Sequence, residues 1–130
     1  MASIFTKIIK GEIPSYKIAE NENYIAFLDA FPLVEGHTLV VPKKEVDKIW
    51  HLDKEIYLGL MDFAYDVAQG MEKVIPCLRV GVAVIGLEVP HVHVHLVPLN
   101  EMNDINFMQP KKEFTPEKMQ EIADKIKSAL

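Results

Sequence analysis

The sequence predicts an α+β domain built on a five-stranded, mainly antiparallel sheet, with one long helix packed on it and a C-terminal helix. Three observations support this. Five short runs have the alternating or apolar pattern of β-strands, two longer runs carry apolar residues three and four apart, and their order is β-β-β-α-β-β-α. With 130 residues, the chain has the length of one domain.

The first part of the chain predicts a short helical segment followed by three strands. Residues 3–10 have helical spacing, which stops at Gly11 and Pro14. The strands that follow, the first two joined by a hairpin turn, are expected at Tyr16–Glu20, Tyr24–Leu28 and Thr38–Val41.

The remaining elements are the long helix, two strands and a last helix. The nearly unbroken apolar run Arg79–Ile85 is typical of a central strand, in which Gly81 allows a neighbour to approach closely. The last helix begins at Thr115, with Pro116 in its first turn. The other two elements are the helix Asp53–Ile75 and the strand His91–Val97.

The long helix has apolar residues on two sides. One stripe is continuous, and Leu58, Met61 and Tyr65 form a second stripe on the other side. A helix of this kind needs two partners, which we interpret as the sheet and a second subunit. Scattered surface residues would explain the second stripe equally well.

The composition argues against several classes of protein. The formal net charge of −5 argues against nucleic-acid and membrane partners, which need basic surfaces. One cysteine excludes an internal disulfide framework and fits a reducing compartment. The sequence has no leader pattern and no apolar run of about 18 residues, so we expect a cytoplasmic protein.

Three of the five histidines occupy alternate positions of one predicted strand. Because successive side chains on a strand point to opposite faces, His91, His93 and His95 share one face, and the apolar residues between them are buried on the other. Isolated histidines are ordinary surface residues, but three in a row on one face favour a functional role.

The spacing favours an extended phosphate ligand over a single metal ion. The outer two histidines start roughly 13 Å apart, whereas zinc needs nitrogen ligands converging at about 2.0–2.1 Å. Two of the three can still share a metal, so a metal-dependent enzyme is one alternative. Imidazole can also donate to phosphate oxygens, transfer protons or attack phosphorus. A neutral imidazole at the middle position, His93, would then be the nucleophile, and a protonated neighbour would stabilise the phosphoryl oxygens.

These segments resemble the histidine-triad (HIT) family. His91–Val97 matches its motif, in which three histidines alternate with apolar residues and two apolar residues follow. The resemblance covers about residues 3 to 100 and implies a HIT-like fold, with a HIT domain at 3–108 and a helical extension of the same domain at 109–130. Further matching segments are residues 4–14, 24–29 and 36–44.

The resemblance implies a nucleotide-binding hydrolase or transferase that cleaves at the α-phosphate of nucleoside phosphoramidates or dinucleoside polyphosphates. His93 would form a nucleotidyl-histidine intermediate, which water then hydrolyses. The implied partners are a purine nucleotide such as AMP and a second copy of the chain, and neither a cofactor nor a metal is expected. The implied substrate-binding residues are His37, His91, His95, Phe5, Phe27 and Asp29.

Four of these residues also have purely structural interpretations. Phe5 and Phe27 fit a hydrophobic core as well as a base-binding cleft. Asp29 can initiate a turn as well as accept hydrogen bonds from ribose hydroxyls. His37, without the resemblance, fits a turn or the surface.

The chain departs from the family pattern in two places. Leu87 and Glu88 stand four and three positions before His91, where many members carry Gln and Ser or Thr, and the loop is short. A carboxylate near an anionic substrate is unfavourable, which makes a nucleotide-binding regulatory module with little turnover the alternative function. Ser3 and Thr6 stand where some bacterial members carry a Cys-x-x-Cys pair of a zinc site.

Overall fold

A computed structural model describes residues 2–130 and confirms the predicted α+β fold. The five strands are β1 Lys17–Glu20, β2 Tyr24–Leu28, β3 Thr38–Pro42, β4 Arg79–Ala83 and β5 Val94–Leu99. The three α-helices are α1 Ile4–Ile9, α2 Lys54–Val74 and α3 Pro116–Ser128. Two short 3-10 turns lie at Ile49–His51 and Met102–Ile105. None of the helices within residues 2–130 has the length and apolar character needed to span a membrane.

The strands form one sheet in the order β1-β2-β3-β5-β4, and every neighbouring pair is antiparallel. The expectation that β4 is a central strand is therefore wrong. β4 lies at the edge of the sheet and pairs only with β5, which leaves Val82 54% exposed. The close approach predicted at Gly81 is confirmed, because an added Cβ would lie 2.5 Å from Cδ1 of Leu99.

The middle of the sheet is covered on both faces, which explains why all of β2 is buried. Tyr24, Ala26 and Leu28 join the main core beneath α2 and α3, and the alternate residues Ile25 and Phe27 face the opposite side. On that side, Phe5 of α1 packs against Phe27, Leu39 and Val41 in a second, smaller cluster. This second face carries the candidate site.

The ends of α1 and α3 have side-chain caps that the sequence supplies. The Ser3 hydroxyl accepts a hydrogen bond from the Thr6 amide, and the Thr115 hydroxyl accepts one from the Lys118 amide. Asp53 occupies the corresponding position of α2 without a side-chain bond. In α2, Leu58 and Tyr65 of the second apolar stripe are 55% and 64% exposed in the single chain.

The histidine segment enters the sheet later than the sequence predicts, because β5 begins at Val94. The three residues before it still alternate: Val92 packs in the main core with Val94, while the histidines point away from that core. The Val92 amide donates to the carbonyl of Val46 at 2.8 Å instead of pairing with a neighbouring strand.

Candidate active site

A cavity of about 490 Å³ lies on the face of the sheet that α1 covers. This volume is within the range of sites for small ligands, about 300–1,000 Å³. Of the seven site residues predicted from the sequence, six line the cavity and His91 does not. The six are His37, His93, His95, Phe5, Phe27 and Asp29.

His93 is held with one ring nitrogen bonded to the backbone. Its Nδ1 lies 2.7 Å from the carbonyl oxygen of His91. A carbonyl only accepts hydrogen bonds, so Nδ1 carries the proton, and in the neutral ring Nε2 has a free lone pair. Nε2 has no hydrogen-bond partner among residues 2–130, and the ring lines the cavity. This is the arrangement that a nitrogen nucleophile requires.

His37 and His95 are joined in a chain of hydrogen bonds that fixes both tautomers. The Leu33 amide donates to Nδ1 of His37 at 3.0 Å, so Nδ1 of His37 is an acceptor and Nε2 carries its proton. Nε2 of His37 lies 2.9 Å from Nδ1 of His95 and donates to it. The remaining N–H of His95, on Nε2, is then a donor available beside His93, whose ring centre is 4.9 Å away.

Burial keeps these two rings neutral. It lowers the pKa of His37 to about 3, and electrostatic interactions with His95, Lys111 and His93 act in the same direction. Burial likewise lowers the pKa of His95 to about 4, with smaller contributions from His93 and Lys111. Near neutral pH the pair is therefore uncharged, and Nε2 of His95 is left as a neutral N–H donor.

Asp29 forms the turn that is one of its two interpretations, and its side chain also lines the cavity. Its Oδ1 accepts a hydrogen bond from the Phe31 amide at 2.9 Å, as in an Asx turn. Its Oδ2 lies 3.6 Å from Nε2 of His37, and the side chain lines the cavity. Burial raises the pKa of the Asp29 carboxyl, partly offset by the Phe31 hydrogen bond. The carboxylate is placed to accept hydrogen bonds from a polar ligand group.

A metal ion is a possible alternative ligand of the site by distance alone. One ligand atom each of Asp29, His37 and His95 lies within 4.8 Å of the others. The hydrogen bonds do not fit this use. Nε2 of His37, the nitrogen nearest to the other two residues, carries the proton because Nδ1 accepts from Leu33. A metal ligand needs an unprotonated nitrogen.

His91 lies behind the cavity and is fully buried. Its Nε2 donates to the carbonyl oxygen of Pro42 at 2.8 Å, and its Nδ1 accepts from the Ser3 hydroxyl at 2.7 Å. Burial lowers its pKa, which favours the neutral ring. His91 therefore holds the backbone carbonyl that orients His93, and its ring is closed off from a ligand in the cavity.

Ser3 and Thr6, which stand in place of the Cys-x-x-Cys pair, belong to a cluster of polar side chains around His91. Glu45 accepts hydrogen bonds from the Ser3 amide at 2.8 Å and from the Thr6 hydroxyl. These two bonds, the Ser3 bond first, lower the pKa of the Glu45 carboxyl. A polar network of Ser3, Thr6, Glu45 and His91 thus ties the start of α1 to the histidine segment. No motif in the sequence points to Glu45.

Phe5 and Phe27 are core residues that also border the cavity. Both rings are buried in the second cluster, with their centres 5.7 Å apart, and both border the cavity. The centre of Phe5 lies 4.9 Å from that of His93 in an edge-to-face arrangement. They form an apolar wall next to the histidine that has the free nitrogen.

The loop before the histidines lines the cavity as well. Leu87 is 89% exposed, and Glu88 brings a negative charge that raises the pKa of Asp29 in addition to the larger effect of burial. The carboxylate predicted to disturb an anionic ligand is therefore at the cavity.

Sequence reasoning missed one further part of the cavity wall. Phe107, Met108 and Lys111 line it, although they lie beyond the segments that carry the resemblance. The Phe107 ring centre is 4.8 Å from that of His95. These residues follow no periodic pattern, and only tertiary folding brings them to the site.

Comparison with known proteins identifies the family. Residues 10–102 match the model of the HIT domain. The chain belongs to the HIT family.

Relatives of known structure or name support this assignment. An adenosine 5'-monophosphoramidase of Schizosaccharomyces pombe is 31% identical over 132 residues, covering 100% of this chain and 99% of that protein. The adenosine 5'-monophosphoramidase of Saccharomyces cerevisiae is 40% identical over 98 residues, covering 75% of this chain and 62% of that protein. A HIT-like protein from Bartonella henselae, described as involved in cell-cycle regulation and crystallised with an unknown ligand, superposes with a TM-score of 0.86 at 30% identity, covering 98% and 96% of the two chains.

Proposed function

We propose that this HIT protein is a nucleotide-binding hydrolase or transferase that cleaves at the α-phosphate through a nucleotidyl-His93 intermediate. The observation that carries the proposal is the hydrogen bond from Nδ1 of His93 to the His91 carbonyl, which leaves Nε2 open to the cavity. The donor pair of His37 and His95 beside it supports the same chemistry.

In the first step, Nε2 of His93 attacks the α-phosphorus and forms a P–N bond. The bond from phosphorus to the leaving group breaks, and the leaving group departs with its electron pair and takes up a proton from solvent, which the water of the second step gives back. The neutral N–H of His95 stabilises the charge on a phosphoryl oxygen, in the way that oxyanion-hole donors act. Because its pKa is about 4, the His95 ring stays neutral across the physiological pH range, and its proton is on Nε2 because Nδ1 accepts from His37.

In the second step, water attacks the same phosphorus and the bond to His93 breaks. The products are a nucleoside monophosphate and His93 with its lone pair restored, and the water supplies the hydroxyl group and a proton. Dividing one displacement into two is the general advantage of nucleophilic catalysis. No step uses a metal ion, so chelators are expected to leave turnover unchanged.

The substrate class that fits best is a purine nucleoside 5'-phosphoramidate or a dinucleoside polyphosphate. Phe5 and Phe27 offer an apolar surface for a base, and the Asp29 carboxylate offers an acceptor for ribose hydroxyls. The printed names of the two yeast relatives, both adenosine 5'-monophosphoramidases, support an adenosine substrate.

The test is AMP release from adenosine 5'-phosphoramidate and from diadenosine polyphosphates. His93→Ala is expected to lower turnover by at least roughly 10³-fold, as loss of a nucleophile does elsewhere. His51→Ala is the matched control, because His51 is an exposed histidine outside the cavity. Equal turnover of wild type and His93→Ala, or an inert wild type across the panel, would refute the proposal.

Glu88 favours a second candidate, a nucleotide-binding regulatory module with little turnover. Its carboxylate lines the cavity in which the substrate's negative charge would lie. This candidate predicts tight AMP binding by wild type without AMP production, and turnover gained by Glu88→Gln. Robust turnover by wild type excludes it.

We further propose that the protein is a homodimer. The free edge of β4, where Val82 is 54% exposed, can pair with a strand of a second copy and so extend the sheet across it. The exposed stripe of Leu58 and Tyr65 on α2 is the other apolar surface that a second subunit can cover.

A further inference from the structure

The segment after β5 turns back over the cavity and is held there by its own hydrogen bonds. The Lys112 amide donates to the carbonyl of Pro32 at 2.8 Å, which fastens the end of the segment next to the loop that carries Asp29. Earlier in the segment, the Phe107 ring packs edge-to-face on His95, with the ring centres 4.8 Å apart. The residues between these two anchors are therefore placed along the wall of the site.

Lys111 brings a positive charge to that wall. Among residues 2–130, it is the only lysine or arginine that lines the cavity. The matching segment 36–44 contains two lysines, but both form ion pairs. Lys43 pairs with Glu20 at 2.8 Å, and Lys44 pairs with Asp53 at 3.7 Å.

The ammonium group of Lys111 is positioned but not neutralised. Its Nζ donates to the carbonyl oxygen of Phe107 at 3.0 Å and lies 5.8 Å from the centre of that ring. Within the described part of the chain it forms no ion pair with a carboxylate. An ammonium group has three N–H donors, so at least one stays available for a ligand.

The charge of Lys111 reaches the catalytic histidines. After burial, it contributes to lowering the pKa of both His37 and His95, and it partly offsets the effect of burial on Asp29. These three residues surround the place where the α-phosphate is expected under the proposed function.

We propose that Lys111 is a substrate-binding residue that receives the anionic phosphate of a nucleoside 5'-phosphate, with Phe107 as the positioning residue that holds it beside His95. This inference rests on the proposed function and adds a residue to its binding site. It also supplies the positive charge that the cavity, with its Asp29 and Glu88 carboxylates, otherwise lacks among the described residues.

The test compares binding of AMP and of adenosine, which lacks the phosphate, by calorimetry. Lys111→Gln is expected to weaken AMP binding about tenfold, equivalent to about 1.4 kcal/mol, and to leave adenosine binding unchanged. Lys112→Gln is the matched control, because this exposed neighbour does not line the cavity and anchors the segment through its backbone. The difference between wild type and Lys111→Gln is expected to shrink at high salt, because salt screens exposed charges.

Three outcomes would count against the inference, and they are distinguishable. If wild type binds AMP and Lys111→Gln binds it equally well, Lys111 is not a phosphate ligand and the proposed function stands. Equal losses for AMP and adenosine would show that Lys111 acts through the structure of the segment, which also overturns its assignment. A wild type that binds neither compound would contradict the proposed function itself.

Discussion

At the scale of single residues, backbone groups fix how each histidine of the site can act. The His91 carbonyl sets the proton of His93 on Nδ1, and the Leu33 amide sets the proton of His37 on Nε2. The first arrangement leaves the lone pair of Nε2 of His93 facing the cavity. In the second, Nε2 of His37 donates to Nδ1 of His95, so that the N–H of His95 is on Nε2. Chemically identical side chains thereby present opposite groups, a lone pair on His93 and, through His37, an N–H donor on His95.

The lowered pKa of His95 predicts how stability depends on pH. The unfolded chain binds a proton on this residue near pH 6.5, whereas the folded chain does so only near pH 4. Between these values the unfolded state binds more protons, so the stability associated with the neutral ring is complete above pH 6.5 and is lost as the pH falls. The contribution to the slope is at most about 1.4 kcal/mol per pH unit.

Urea denaturation at a series of pH values between these limits measures this slope. His95→Gln removes one titrating group, so its free energy of unfolding is expected to depend less steeply on pH than that of wild type. His51→Gln, which changes an exposed histidine, serves as the control and keeps the wild-type slope. Identical slopes for wild type and His95→Gln would contradict the buried neutral ring.

At the scale of elements, the residue that caps the short helix α1 also contacts the histidine segment of the site. Ser3 caps this helix and donates to His91, which in turn holds the carbonyl that orients His93. Thr115 provides the same kind of cap on α3, away from the cavity. The chain thus contains two equivalent caps, of which one touches the site.

Ser3→Ala and Thr115→Ala are therefore expected to differ. Each loses an N-cap, which costs about 1 kcal/mol of stability. Ser3→Ala also leaves buried Nδ1 of His91 without its donor, at a further cost of about 1–3 kcal/mol, and it lowers turnover because His93 is less well oriented. Thermal unfolding and turnover of both variants check this, and full activity of Ser3→Ala would disprove the link to His93.

The elements themselves were largely predictable, because their signals are local. Short apolar runs next to turn residues marked β2 and β3, and Gly11, Pro14, Thr115 and Pro116 marked helix ends. The place of β4 in the sheet was not predictable in this way, since strand order depends on pairing between distant segments. Its apolar sequence resembles that of a central strand even though one edge of it is free.

The same distinction applies to the site. His37, His93 and His95 were predicted because their pattern lies within short segments, and they do line one cavity. The position of His91 behind the cavity depends on contacts with Ser3 and Pro42, far away in sequence. Phe107 and Lys111 likewise reach the site only through the path of the C-terminal segment.

At the scale of the whole molecule, β4 and α2 each leave apolar side chains uncovered, and both surfaces are candidates for self-association. We expect a dimer by light scattering at micromolar concentration. Val82→Lys, on the free edge of β4, and Tyr65→Lys, on α2, each place a charge on one surface, and both residues are more than half exposed. The variant that reduces the dimer fraction identifies the interface, and a monomeric wild type would contradict the proposal.

The fold presents Nε2 of His93 to the cavity, where the proposed function places the α-phosphorus of the substrate. The most direct test is to quench a reaction with adenosine 5'-phosphoramidate under conditions that preserve P–N bonds and to locate the adduct by mass spectrometry. We predict a single adenylyl group on His93, absent from His93→Ala. AMP production without such an adduct, or an adduct on another residue, would contradict this account.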